Sequence, residues 1–455
     1  MNTPDHEQLA LFGGGKTVTA DPGDIFKWPI ITEAHEAAVL KVLRAGQMSG
    51  LEVTKEFERK YAAALGRKYA LAAPNGTASI LEAMYGMGIG AGDEVIAPSL
   101  TYWASIAQVY TLGGVPVFAD SDPETLCIDP RGVERRITAR TKAIVAVHYA
   151  AMPADMDAIM DVAGRHNLMV LEDCSHAHGA LYKGRQVGTI GTVGAFSLMS
   201  GKSLAVGEGG IFFTDDQRIH ERALLFGHYI RHNEITLDDL KPFRGLPCGG
   251  FKNRMHQLSS AVGLVQLDAY PAQMAEIDKA MNYFCDLLDD LPGIRPIRPV
   301  PGGNTTKGGW YYPLFRYVPE ELGGLSLMRF SQAVAAEGAV CRPGCNKPLH
   351  LHPLFTTMDV YGHGRPTCLA NLHPSASPYR FPEKLPVAEA ANRLTFEAPW
   401  FKHYRPEIIT QHAEAYKKVI RNHKALLVDD PGGDDRIGGY TSFFSEQKTA
   451  PGGTK

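Results

Sequence analysis

The chain has 455 residues, of which 44% are hydrophobic and 21% charged, and a formal net charge of −3. Its length calls for a large domain plus a smaller one, and the near-neutral balance gives nucleic acid or a membrane surface no electrostatic hold. Seven scattered cysteines, no apolar run of the roughly 18 residues a bilayer requires, and an N-terminus without a secretory-signal pattern predict a soluble, cytoplasmic protein.

Residues 1–30 are polar and glycine-dotted and read as an N-terminal arm. Thr32 then precedes an apolar-periodic run that predicts a capped helix. Between about 70 and 215, short apolar runs alternate with helical patterns. Strands are predicted at Val95–Pro98, Val115–Asp120, Ala143–His148, Leu168–Asp173, Ala195–Leu198 and Ile211–Thr214, with a helix at Asp155–Arg165. Such alternation implies a mostly parallel sheet covered on both faces, with ligands outside the strands' carboxyl ends. Met255 to about Leu291 predicts a long helix leading into a second unit, where Trp310–Tyr317 reads as a strand and Ser326–Glu337 as a helix. Residues 356–384 read as a functional or mobile loop, and 429–455 as a tail that folds only against something else. The division is an arm (1–30), a large α/β domain (31–285), a small C-terminal α/β domain (286–428) and the tail.

The densest chemistry lies between Val170 and Asp216. One predicted strand ends in Glu172-Asp173. A buried Asp there can keep a pyridine nitrogen protonated, although a turn-forming role is an equal reading of Asp173 alone. Lys202 follows Phe196-Ser197 in a glycine-flanked turn and is followed by Gly207-Glu208-Gly209-Gly210. A desolvated lysine offers its neutral amine to a carbonyl, whereas a lone loop lysine is ordinarily solvated. Asn75-Gly76-Thr77-Ala78-Ser79 opens a helix and suits a phosphate, or is a plain capped helix start. It is neither a P-loop nor a dinucleotide fingerprint. Tyr102 and Trp103 follow another strand and can stack on a flat ring or simply pack.

In this order and spacing the elements resemble the DegT/StrS-type sugar aminotransferases, pyridoxal-phosphate (PLP) enzymes of the aspartate-aminotransferase fold, type I. The resemblance runs from about Leu11 to Leu426. Its motifs include Gly-Thr-Ala at 76–78, Gly-Asp-Glu-Val at 92–95, Glu-Asp-Cys-Ser at 172–175, Lys202 and Gly-Glu-Gly-Gly at 207–210. It implies that Lys202 forms a Schiff base with pyridoxal 5′-phosphate and then shuttles the proton, while Asp173 pairs with the ring nitrogen. His176 would stand near the phenolic oxygen and Tyr102, rather than Trp103, would stack on the ring. Gly76, Thr77, Ala78 and Ser197 would seat the phosphate. Where the family carries an Asn that reaches the partner subunit's phosphate, this chain has Lys252, so the resemblance gives that contact either to Lys252 or to the following Asn253.

The resemblance further implies a homodimer with shared sites that moves an amino group from L-glutamate or L-glutamine to a nucleotide-linked keto-sugar or a keto-cyclitol. The segment Cys174–Gly179 matches the cyclitol and aminobenzoate branches at least as well as the nucleotide-sugar branch. Alternatives are a dehydratase of the same family, against which Lys202 argues, and a non-catalytic regulatory or scaffold member. His350, His352, His363 and His373 match no zinc spacing and are candidates for substrate hydroxyls or phosphates instead.

Overall fold

Seven strands build the main sheet of the computed structural model, which describes residues 8–362, 364, 384–433 and 437–439. They are β1 (Tyr69–Ala73), β2 (Glu94–Pro98), β3 (Val115–Ala119), β4 (Thr141–Val147), β5 (Met169–Asp173), β6 (Val193–Ser197) and β7 (Gly210–Thr214). Across the sheet they run β3-β2-β4-β5-β6-β7-β1. The first five in that order are parallel, and β7 is antiparallel to both β6 and β1. The strands are almost wholly buried, as befits a sheet with helices on both faces. β1 adds to the predicted set: Tyr-Ala-Leu-Ala-Ala has weak strand propensity and is held by pairing with β7.

The helices that matter here are α1 (Glu33–Arg44), α2 (Glu52–Leu65), α3 (Gly76–Gly86), α4 (Met156–His166), α5 (Gln217–Gly227), α6 (Gln257–Asp286), α7 (Leu327–Ala336) and α8 (Pro406–Arg421). The Thr32 N–H donates to His35 Nδ1 at 3.1 Å at the start of α1, and the Asp155 and Ser326 side chains cap α4 and α7. The long predicted helix is α6, shorter than its apolar pattern at both ends.

A second, antiparallel sheet runs β8-β9-β11-β10, with β8 (Ile294–Pro296), β9 (Leu314–Tyr317), β10 (Arg342–Pro343) and β11 (Thr395–Glu397). Its helices α7 and α8 pack on one another, and α8 also packs on α6. The strand predicted at Trp310–Tyr317 is thus only half strand. Trp310 and Tyr312 hold left-handed backbone, φ 53° and 62°, so this aromatic run turns toward the main sheet instead of pairing.

The arm is tied to its own chain. The Ala10 and Thr17 N–H groups donate to the Glu337 carboxylate, and those of Thr19 and Ala20 to Gln411. The first residues of the predicted tail are tied too: Asp430 accepts from the Ser326 N–H, and Gly439 accepts from the Lys347 N–H. The remainder of the tail, and residues 365–383 of the predicted loop, lie outside the described residues.

Candidate active site

Strand register brings the site together. Val147 of β4 lies beside Asp173 of β5, Asp173 beside Ala195 of β6, and Ser197 of β6 beside Gly210 of β7. The start of α3 presses against these strand ends. A Cβ on Gly76 would fall 2.7 Å from Ser197 Cβ, and one on Gly210 would fall 2.2 Å from the Asn75 carbonyl oxygen. Both positions need glycine for this close approach. Outside the strand ends lies a cavity of about 460 Å³, lined in part by Gly76, Thr77, Tyr102, Asp173, His176, Ser197 and Lys202.

Asp173 is 5% exposed. Its Oδ2 accepts from the Ser105 hydroxyl at 2.6 Å, Ser105 pairs with Thr101 at 2.8 Å, and its Oδ1 accepts the Ser175 N–H at 3.0 Å. These donors hold the carboxylate in one orientation.

Lys202 sits in the connection between β6 and β7, which the Leu198 and Ser200 N–H groups close by donating to Gly209 and Gly207. Its Nζ rests 3.8 Å from the centroid of the Tyr311 ring. Burial pushes its pKa down to about 7, with Asp173 pulling the other way. An amine near neutrality at pH 7 is nucleophilic and can also carry a proton.

His176 is pushed well below its ordinary pKa, first by burial and then by the charges of Lys202 and His178. Its Nδ1 accepts the Ala150 N–H at 3.3 Å, so the neutral ring carries its proton on Nε2. Ala150 and Ala151 are both left-handed, φ 51° and 65°, and that conformation aims the Ala150 N–H. Neighbouring Tyr149 donates its hydroxyl to Asn346 Oδ1 at 2.7 Å, and Asn346 lines the cavity.

Not every predicted residue reaches the cavity. The Ala78 N–H is taken by the Asn75 side chain at 2.8 Å, because Asn75 caps α3, so it is not an available anion donor. Lys252 is exposed on this chain's surface. Asn253 is 8% exposed and turned inward: its N–H donates to Gly227, and its side chain lies against Gly227 opposite Glu82. Trp103 is 36% exposed and packs on Tyr102 from outside the cavity lining.

The predicted histidines behave differently again. His350 is buried between the Ser99 hydroxyl, 2.6 Å from Nδ1, and the Glu389 carboxylate, 3.2 Å from Nε2; it clasps two chain segments. His352 caps a short helix by accepting the Leu354 N–H. His363 and His373 lie outside the described residues.

Sequence reasoning passed over Ser105, Tyr311, Tyr312 and Asn346. Ser105 was findable as a hydroxyl beyond a strand end. The other three come from distant segments and carried no local signal.

A sheet of this order, with an amine-bearing connection at its carboxyl edge, is the architecture of an aminotransferase. The X-ray structure of the aminotransferase from Psychrobacter cryohalolentis matches it with a TM-score of 0.76 at 29% identity, over 88% of this chain and all of that one. This chain belongs to the DegT/DnrJ/EryC1/StrS aminotransferase family, whose model matches residues 29–371. It is similar to the L-glutamine:2-deoxy-scyllo-inosose aminotransferase of Micromonospora echinospora, 36% identical over 98% of this chain and 100% of the relative. It is also similar to the L-glutamine:scyllo-inosose aminotransferase of Streptomyces griseus, 32% identical over 87% of this chain and 94% of the relative. The chain is therefore an aminotransferase, of a family that works with PLP.

Proposed function

We propose that this enzyme binds pyridoxal 5′-phosphate in the cavity and transfers the amino group of L-glutamine to the ketone of an inosose-type cyclitol. The observation that carries the cofactor reading is one cavity holding the Lys202 amine, the Asp173 carboxylate and the start of α3. The residues fit the group: a buried amine over the Tyr311 ring face, a carboxylate held by two donors, and a glycine-lined helix start of the kind that suits a phosphate.

When bound, the cofactor supplies the carbonyl that takes up the amino group and an electron-withdrawing ring. Lys202 Nζ would attach it and afterwards hold and move a proton. Asp173 would face the ring nitrogen. His176 would offer Nε2–H to the ring's phenolic oxygen, and Tyr102 would cover the ring. Gly76, Thr77 and Ser197 would seat the phosphate.

The substrate reading rests on the inosose aminotransferases named above, and the cavity wall supports it. Thr101, Ser175 and Asn346 are neutral hydrogen-bonding groups suited to a polyhydroxylated ring. We also place a partner subunit at the site. Phe243 and Leu246 are 57% and 79% exposed in the segment leading to Lys252, which suits an interface that brings Lys252 to the partner's phosphate. Buried thiols at Cys127, Cys174, Cys285, Cys341 and Cys345 suit the cytoplasm.

The test is a panel of scyllo-inosose, 2-deoxy-scyllo-inosose and a nucleotide-linked keto-sugar, each offered with glutamine and with glutamate, read by mass spectrometry of the aminated product. Amination of an inosose with glutamine is expected. Amination of the nucleotide-linked sugar alone overturns the substrate reading.

A further inference from the structure

Lys202 is held from two sides by one aromatic assembly. Its Nζ lies over the Tyr311 ring at 3.8 Å, while its backbone carbonyl accepts the indole N–H of Trp28 at 2.9 Å. The Trp28 and Trp400 rings are 6.3 Å apart, and Trp400 meets Tyr311 edge to face at 5.4 Å and 89°. Trp400 is itself pinned by its indole N–H to the Gly309 carbonyl at 2.9 Å, and His176 lies 4.6 Å from Tyr311 on another side. Thus the arm, the segment before β9 and the segment after β11 converge on a single lysine. Tyr311 is 3% exposed and its ring cannot swing away without disturbing these neighbours.

A ring face attracts an ammonium and is indifferent to a neutral amine. In transamination the lysine, once it has left the cofactor, alternates between these two forms. We propose that Tyr311 is a positioning residue: its ring face is the resting seat of the Lys202 ammonium while that nitrogen carries the transferred proton. This rests on Lys202 being the lysine of the proposed reaction. The other groups facing the amine are Asp173, His176 and His178, with Tyr102 and Glu208 on the same cavity wall. Lys402 lies behind the stack, 5.0 Å from the Trp28 ring. Of these, Asp173 is the group that also favours the ammonium.

The experiment uses the full-length chain stripped of cofactor, where Lys202 is an unmodified amine. Competitive labelling with acetic anhydride, mapped by mass spectrometry, gives the protonation midpoint of Lys202 across a pH series. Tyr311→Leu is expected to lower that midpoint by about 0.5–1.5 pH units, and Tyr311→Phe to leave it within about 0.3. Should Tyr311→Leu fail to fold, mono-, di- and trifluorophenylalanine at position 311 keep the shape and weaken the ring face stepwise. A stepwise fall in the midpoint is then expected. An unchanged or rising midpoint in the leucine or fluorinated chains overturns the proposal, as does a fall in Tyr311→Phe equal to that in Tyr311→Leu. Borohydride reduction of the holoenzyme separately identifies the cofactor-bearing lysine. A label on another lysine defeats the site assignment while leaving the Tyr311–Lys202 measurement readable.

Discussion

Glu172 and Asp173 are neighbours on β5 whose carboxylates serve opposite sides of the sheet's edge. The Glu172 carboxylate accepts the N–H groups of Gly188, Ile190 and Gly191 at 2.8, 2.7 and 2.6 Å and the Nε2 proton of His148 at 3.1 Å. The His148 proton is on Nε2 because its Nδ1 accepts the Ala154 N–H. Asp173 instead turns to the cavity and the Ser105 hydroxyl. The alternation of side chains along a strand makes one carboxylate structural and frees the next for the site.

Glu172→Gln is therefore expected to lower stability by about 2–4 kcal/mol, since an amide cannot accept from all four donors and brings N–H groups of its own. Burial opposes the charge of Glu172, but His148 and the N–H groups of Gly191 and Gly188 outweigh it and hold its pKa below the ordinary range. Denaturant titration should show the loss, with turnover per folded molecule retained.

For Asp173→Asn the expectation is reversed. Stability should change little, the cofactor should still bind, and single-turnover amino transfer should slow by about ten- to a hundredfold, the worth of one charge-assisted hydrogen bond. A melt shifted as far as that of Glu172→Gln, with an unchanged rate, would assign Asp173 a structural role.

Lys202→Ala should abolish turnover and the borohydride-reducible link to the cofactor while leaving the fold intact. Peptide mapping after reduction of the parent chain should recover the label on Lys202.

Lys202 also gives a pH signature in the cofactor-free chain. Unfolded, its ammonium persists to the ordinary value of 10.5; folded, it releases its proton near 7. Between those values the unfolded chain binds more protons, so stability rises with pH across that window. Lys307, lowered to about 8, and Lys402, well below its ordinary value, act in the same direction, both through burial. Lys202→Met should remove one share of the slope in urea midpoints measured from pH 7 to 10. An unchanged slope would show that Lys202 is not desolvated.

Mixing Lys252→Ala with Lys202→Ala chains tests whether sites are shared. Where Lys252 serves the partner's site, both defects fall in one site of a heterodimer and the other site has neither, so the mixture regains activity. Lys252→Ala alone should weaken cofactor retention roughly tenfold to a hundredfold, the worth of a charge-assisted bond at about 1.5–3 kcal/mol. An active monomer at assay concentration would exclude sharing.

Much of the cavity could be read along the chain because its parts end strands or open a helix. Asp173, Ser197 and the start of α3 sit where apolar runs stop, and Lys202 sits between two such runs. His350 shows the limit of such reading. Its loop makes it a candidate for substrate hydroxyls or phosphates, and only the approach of Ser99 and Glu389 reveals that it also clasps two chain segments.

By itself, then, the sequence determined the parallel sheet, the order of the chemical groups along it and the family, because apolar periodicity and motif spacing are local properties. Tertiary structure alone decided which groups face one another. It turned Asn253 inward and Lys252 outward, forced Ala150 into left-handed backbone so that its N–H meets His176, and laid Tyr311 beneath Lys202. Those contacts join segments tens to hundreds of residues apart, and their geometry is set by packing of the whole chain, which no local pattern encodes.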